Sequence, residues 1–155
     1  MTSKDIEILI IADDPVETEL IIGGLAKQQL SDKLLHIDNR AEALEFISSA
    51  GRRYKHIADY HLKLILLVTN LSNTSGVELL RQLKTGVHTR SIPVVIFTSS
   101  KEDYHIIEGY QLGVNSYIIK PAGVEPFDRA IRSLCVYWLS LNQCPFHGGE
   151  RHYNR

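Results

Sequence analysis

Apolar residues along this chain fall into short continuous runs, separated by longer stretches of helical period. The runs are Ile6–Ala12 (IEILIIA), Lys33–Asp38 (KLLHID), Leu64–Thr69 (LILLVT), Ile92–Thr98 (IPVVIFT) and Asn115–Lys120 (NSYIIK). Runs of this length and character predict strands, most of them buried on both faces of a parallel sheet. Helices are expected between them: from Asp14-Pro15 to about Gln29, Ala41–Ser49 closed by Gly51, Ser75 to about Lys84, Glu102–Leu112, and Glu125–Leu141. Asp14 can cap the first helix and Pro15 suits its first turn. Gly23-Gly24 should cost that helix about 1 kcal/mol each. Arg52–Leu62 is a polar connection, and Pro121 stops the last strand.

Five strands alternating with five helices imply right-handed crossovers and an α/β, doubly wound, five-stranded parallel sheet covered on both faces. No internal repeat and no linker divides the chain. The expected organisation is one domain over residues 1–141 followed by a tail, 142–155. In such a sheet the loops after strands one, three, four and five converge on one crevice. They carry Asp13 and Asp14, then Val68 to Asn70, then Thr98 and Ser99, then Lys120. Two acids could hold a hard cation such as Mg²⁺, while a hydroxyl and an ammonium could bind phosphoryl oxygens. The set lacks a nucleophile to accept phosphate. From Leu62 to Val77 there is no Asp and no Glu.

These segments, in this order, resemble the receiver domain of a two-component response regulator from Ile6 to about Leu141. IIADDP is similar to the acidic signature of strand one, IPVVIFTSS to the strand-four segment with its switch hydroxyl (Thr98), and YIIKP to the strand-five Lys-Pro (Lys120-Pro121) with Tyr117 at the aromatic switch position. The approach to the third helix and the ending VYWLSL resemble the small stand-alone regulators that serve phytochrome kinases. The resemblance implies a flavodoxin-like sheet of order 2-1-3-4-5. It also implies a sensor histidine kinase, of phytochrome type or another, or a second response regulator as partner.

Two departures matter. The family's phosphorylated Asp lies eight residues before the loop glycine, and eight before Gly76 stands Val68; shifting by two reaches Asn70, which is not a nucleophile either. The first acid of the strand-one pair is replaced by Ala12, leaving Asp13 in the main metal-ligand place with Asp14 beside it. Mg²⁺ binding should then be weak or vestigial, with no other cofactor implied. Asp13 either retains that weak binding or forms a salt bridge to Lys120, which would satisfy both charges without metal. Asp14 reads first as a helix cap. Thr98 and Tyr117 are either a working switch or relics that pack and hydrogen-bond, and Val68 reads as an apolar plug at the crevice floor. The chain looks like a pseudo-receiver.

Bulk properties narrow the alternatives. A chain of 155 residues can bury one sizeable core, and 44% apolar with 23% charged residues is ordinary for a globular protein. A net charge of −1 gives no broad attraction for nucleic acid or an anionic membrane. MTSKDIE lacks the plan of a signal peptide, no apolar run reaches membrane length, and two cysteines make no disulfide framework, so a cytoplasmic setting is expected. In the tail, Cys144, His147 and His152 lack the paired spacing of a metal site. On the last helix Phe127, Ile131, Leu134, Trp138 and Leu141 form one stripe that should face the sheet. Cys135, Val136 and Leu139 are then left either for a tail that folds back over them or, as the favoured reading, for a symmetric contact with Tyr117 in or near it.

The favoured reading is a signalling adaptor that is not an enzyme and works through contacts without aspartyl phosphorylation, as a homodimer. The alternatives are a conventional regulator phosphorylated at an atypical site, and an unrelated flavodoxin-like binding protein. The last would want a Gly- or Ser/Thr-rich anion loop after strand one, and ADDPVET would repel phosphate there.

Overall fold

The computed structural model describes residues 5–48, 57–68 and 74–145, without the side chains of residues 58, 74 and 75. Five strands alternate with five α-helices among them. They are β1 (Ile8–Ala12), α1 (Pro15–Lys27), β2 (Leu34–Ile37), α2 (Arg40–Ser48), β3 (Leu64–Val68), α3 (Thr74–Thr85), β4 (Val94–Thr98), α4 (Asp103–Gln111), β5 (Ser116–Ile119) and α5 (Val124–Cys135). All four strand pairings are parallel, and the sheet order is β2-β1-β3-β4-β5. This is the doubly wound, flavodoxin-like architecture that the apolar runs and the resemblance predict.

Side chains alternate across the pleat, so each strand feeds two cores. Leu9, Ile11, Ile65, Leu67, Val94 and Ile96 pack with α2 and α3 residues such as Phe46, Leu80 and Leu83. Ile8, Ile10, Leu64, Leu66, Val95 and Phe97 pack on the other face with Ile21 and Leu25 of α1 and Phe127, Ile131 and Leu134 of α5. β1, β3 and β4 are buried along their whole length, which is why their sequences are unbroken apolar runs.

Local signals hold where chemistry demands them. The Asp14 carboxylate accepts from the Val16 backbone N–H at 3.0 Å, with Pro15 opening α1. Gly24 is more than a weak helix former. A methyl group there would lie 3.1 Å from Ile131 Cγ2, so the missing side chain is what lets α5 approach α1.

The C-terminal part departs from expectation. α5 ends at Cys135, and Val136–Leu141 continue as a π-helix. The wider turn changes the angular step between residues and breaks the α-helical stripe. Phe127, Ile131, Leu134 and Trp138 pack on the α1 side of the sheet as the stripe predicts, but Leu141 is 70% exposed. Cys135 is not outward at all: it is 5% exposed within the same core. Leu139 is half-buried against that core, and its carbonyl accepts from Lys63 Nζ at 3.2 Å. Only Val136 of the expected outward trio is exposed. The chain then folds back far enough to bury Cys144, so residues 142–145 belong to the folded body. Gly51, Thr69, Asn70, His147 and His152 lie outside the described residues.

Candidate functional site

The crevice lies at the carboxyl ends of the strands, where doubly wound sheets place their ligands. Ala12 ends β1 and is the register partner of Val68, which ends β3. Both are buried, Val68 at 5% exposure. They share with Asp13, Asp38, Arg40 and Gly76 a cleft of about 30 Å³. That is room for one or two waters and no more. Val68 is a buried apolar residue on the wall of this cleft.

Asp13 is exposed, and Asp14 is turned to its capping role. Lys120 does not reach Asp13. Its ammonium instead forms an ion pair and hydrogen bond with Glu17, on the first turn of α1, with both side chains largely buried. The expected Asp13–Lys120 pair is therefore corrected to Glu17–Lys120. Glu17 was the missed residue. The available signal was its position three after the Asp14 cap, which sets a carboxylate on the helix's first turn facing the sheet end.

Mg²⁺ needs several oxygen ligands held at close quarters. Ala12 and Val68 offer none, Asp14 is engaged as a cap, and no group of three His, Cys, Asp or Glu among the described residues could hold a metal ion. The donor set does not fit the ion, and no chemistry here is routed through it.

The hydroxyl and aromatic positions meet at a serine that sequence reasoning passed over. Thr98 Oγ1 accepts from the Ser100 backbone N–H at 3.2 Å, and the Tyr117 hydroxyl donates to the Ser100 carbonyl at 3.1 Å. The Ser100 hydroxyl lies 2.6 Å from Nδ1 of the buried His105 on α4 and accepts from the Glu102 backbone N–H at 3.4 Å. Ser100 thus ties the loop after β4 to β4, β5 and α4 together. Tyr117 is half-buried against the core, and its hydroxyl tethers this loop through the Ser100 carbonyl. At the other end of the site His36 Nε2 lies 2.9 Å from the Ala12 carbonyl, joining β2 to the end of β1.

A model of the response regulator receiver domain matches residues 8–132. The chain belongs to that family. The receiver is 28% identical over 141 residues to the probable methanogenesis regulatory protein FilR2 of Methanothrix harundinacea, covering 89% of this chain and 86% of that one. It is 26% identical over 138 residues to the response regulator Rcp1 of Synechocystis sp., covering 89% of this chain and 92% of Rcp1. Among solved structures it superimposes on the phosphorylated cyanobacterial phytochrome response regulator RcpA with a TM-score of 0.76 at 26% identity. That match covers 90% of this chain and 97% of RcpA. The protein is a receiver-domain response regulator of a two-component system, similar to phytochrome response regulators. Among the described residues no helix is long and apolar enough to cross a membrane.

Proposed function

We propose that this receiver is a signalling adaptor that works through protein contacts without aspartyl phosphorylation, with a phytochrome-type sensor kinase or another response regulator as partner. One observation carries the reading. The residue paired with Ala12 at the end of β3 is the buried Val68, where the family places its acceptor carboxylate. The lysine that would meet a phosphoryl group is committed to Glu17 instead. Receiving phosphate requires a nucleophilic carboxylate, and none stands between Leu62 and Val77.

What a partner meets is a surface set by local bonds. Ser100 fixes the loop after β4 through Thr98, Tyr117 and His105 without help from a phosphoryl group. The adaptor binds rather than catalyses. Incubation of the purified protein with acetyl phosphate and Mg²⁺, followed by intact-mass spectrometry, should show no base-labile phosphoryl adduct. A stoichiometric adduct refutes the reading and favours a conventional regulator with an atypical acceptor.

The adaptor is further proposed to act as a homodimer, through a face different from the one the sequence suggests. With Cys135 and Leu139 turned to the core, the exposed apolar groups of this region are Val136, Tyr137 and Leu141, with Tyr104, Ile107 and Tyr110 on α4. Exposed apolar groups of this size favour burial in a self-complementary contact. Light scattering that finds only monomer at tens of micromolar rules it out.

A further inference from the structure

The last helix changes register where an ion pair from the sheet meets it. α5 keeps α-helical geometry to Cys135, and Val136–Leu141 form the π-helix. The Asn142 N–H closes it by donating to the Tyr137 carbonyl, five residues back, at 2.6 Å. Such turns are rare and occur mostly at sites with a functional reason for them.

The two registers present different side chains. At the α-helical step of about 100° per residue, seven residues fall about 20° short of two full turns, so Leu141 would lie on the same side as the buried Leu134. A π turn holds more residues, so each one advances less. Leu139 is thereby brought against the core, and Leu141 is carried away from it to 70% exposure. The π register leaves in water a leucine that the α register would set beside the core, so some other contact must hold it.

That contact is Lys63. The carbonyl of Leu139 belongs to the last turn, where carbonyls lack a donor within the helix. Lys63 Nζ donates to it at 3.2 Å, and a cation is favourable at a helix C-terminus. The sheet, not the helix, places this lysine. It immediately precedes β3, its backbone N–H donates to the Glu7 carbonyl at 2.8 Å, and its ammonium lies 3.7 Å from the Glu7 carboxylate. Beyond the helix the chain is anchored again by the buried Cys144. At the α step the Leu139 carbonyl would stand at a different angle about the axis, away from this fixed ammonium.

We propose that the Glu7–Lys63 pair is a register lock on the last helix. Clasped, residues 136–141 hold the π turn with Leu141 outward. Released, they return to α-helix and Leu141 rejoins the side of Leu134. The lock thus decides whether Leu141 is offered to a second copy of the chain. The inference rests on the proposed homodimer for this consequence, but not for its test.

The test is NMR of the full chain. The parent should show a scalar coupling across the hydrogen bond from the Asn142 nitrogen to the Tyr137 carbonyl carbon, and no methyl–methyl NOE between Leu141 and Leu134. Lys63→Met keeps the apolar stem and removes the ammonium; it should lose the coupling and gain the NOE. Glu7→Gln leaves the lysine in place and removes the charge behind it, so exchange of the Asn142 amide should quicken by about threefold. That second variant decides the matter if Lys63→Met does not fold. A parent without the coupling overturns the proposal, as does a folded Lys63→Met that retains it, or Glu7→Gln with unchanged exchange. Light scattering keeps the two readings apart. A monomeric parent removes the homodimer and leaves the lock standing, whereas a dimeric parent without the coupling does the reverse.

Discussion

Replacing Val68 by Asp tests the crevice at its floor. Val68 is 5% exposed between Ala12 and the cleft shared with Asp13. Removing the valine side chain from the core forfeits about 1.5 kcal/mol of burial. Lys120 is held by Glu17, the cation lining the cleft is the solvent-exposed Arg40, and Asp13 lies nearby with like charge. An unpaired carboxylate at this depth costs a few kcal/mol before it relaxes by taking up a proton or water. The sum is a loss of roughly 3–4 kcal/mol at neutral pH, at the severe end for a single substitution. The sign with pH follows. Burial raises the new group's folded pKa above its unfolded value of about 3.9, so the carboxylate's share of the penalty is absent below about pH 4 and grows as pH rises from there. Mg²⁺ should recover about 1.4 kcal/mol when present at roughly ten times its dissociation constant, because the variant offers a second carboxylate beside Asp13. The parent should gain nothing comparable. Adding Glu17→Gln frees Lys120 for the new acid and should return about 1 kcal/mol or more, although the same change alone weakens the parent. Urea unfolding of parent, single and double variants, with and without Mg²⁺, reads all of these. A Val68→Asp protein within about 0.5 kcal/mol of the parent, or a parent that gains as much from Mg²⁺ as the variant, refutes the account of an apolar plug.

Two further outcomes are expected. Burial pushes the Cys135 thiol from its ordinary 9.0 up to about 11. Between those values the unfolded chain has lost the proton and the folded one keeps it, so stability should fall with rising pH by up to about 1.4 kcal/mol per pH unit and be level below. Cys135→Ala should remove that part of the slope, and identical pH profiles would refute it. Leu141, 70% exposed, is the position at which Glu should dissociate the proposed dimer without loss of folding. Unchanged light scattering for Leu141→Glu would remove this face from the contact.

The parts of the fold that were legible are those in which local chemistry and tertiary demand agree. Buried parallel strands must be apolar throughout, so β1, β3 and β4 announce themselves in the sequence. Asp14-Pro15 names the start of α1 because the unpaired N–H groups of a helix need an acceptor there. The partner of Lys120 was not legible, because Asp13 and Glu17 are both carboxylates near the same sheet end. The choice between them depends on the rotation of α1, which the Asp14 cap and the close approach at Gly24 determine. The last helix failed for a different reason. Cys135 lies four residues after the buried Ile131 in regular α-helix, so the apolar stripe is wide enough to include it, while Leu139 lies in the π-helix from Val136, where the angular step changes. Ser100 was invisible because it acts through its backbone N–H and carbonyl as much as its hydroxyl.

On the proposed reading, the apolar crevice floor and the Glu17–Lys120 pair belong together. A largely buried ammonium must have a counter-charge, since an unpaired one costs several kcal/mol. In a receiver that accepts phosphate, that counter-charge can come from the acids around the acceptor. Here the end of β1 supplies Ala12, the end of β3 supplies Val68, and Asp14 is spent on the helix cap. Asp13 remains, but it is exposed to water and makes no ion pair with Lys120. Glu17 is the carboxylate that α1 holds against the lysine, while Val68 fills the crevice floor. Placing an acid at Val68 alone therefore leaves a site whose lysine is already taken. Releasing the cation alone leaves it facing an apolar floor. The two features have to be reversed together before the crevice can bind a phosphoryl group, so Val68→Asp alone tests the apolar floor and the double variant tests phosphoryl binding.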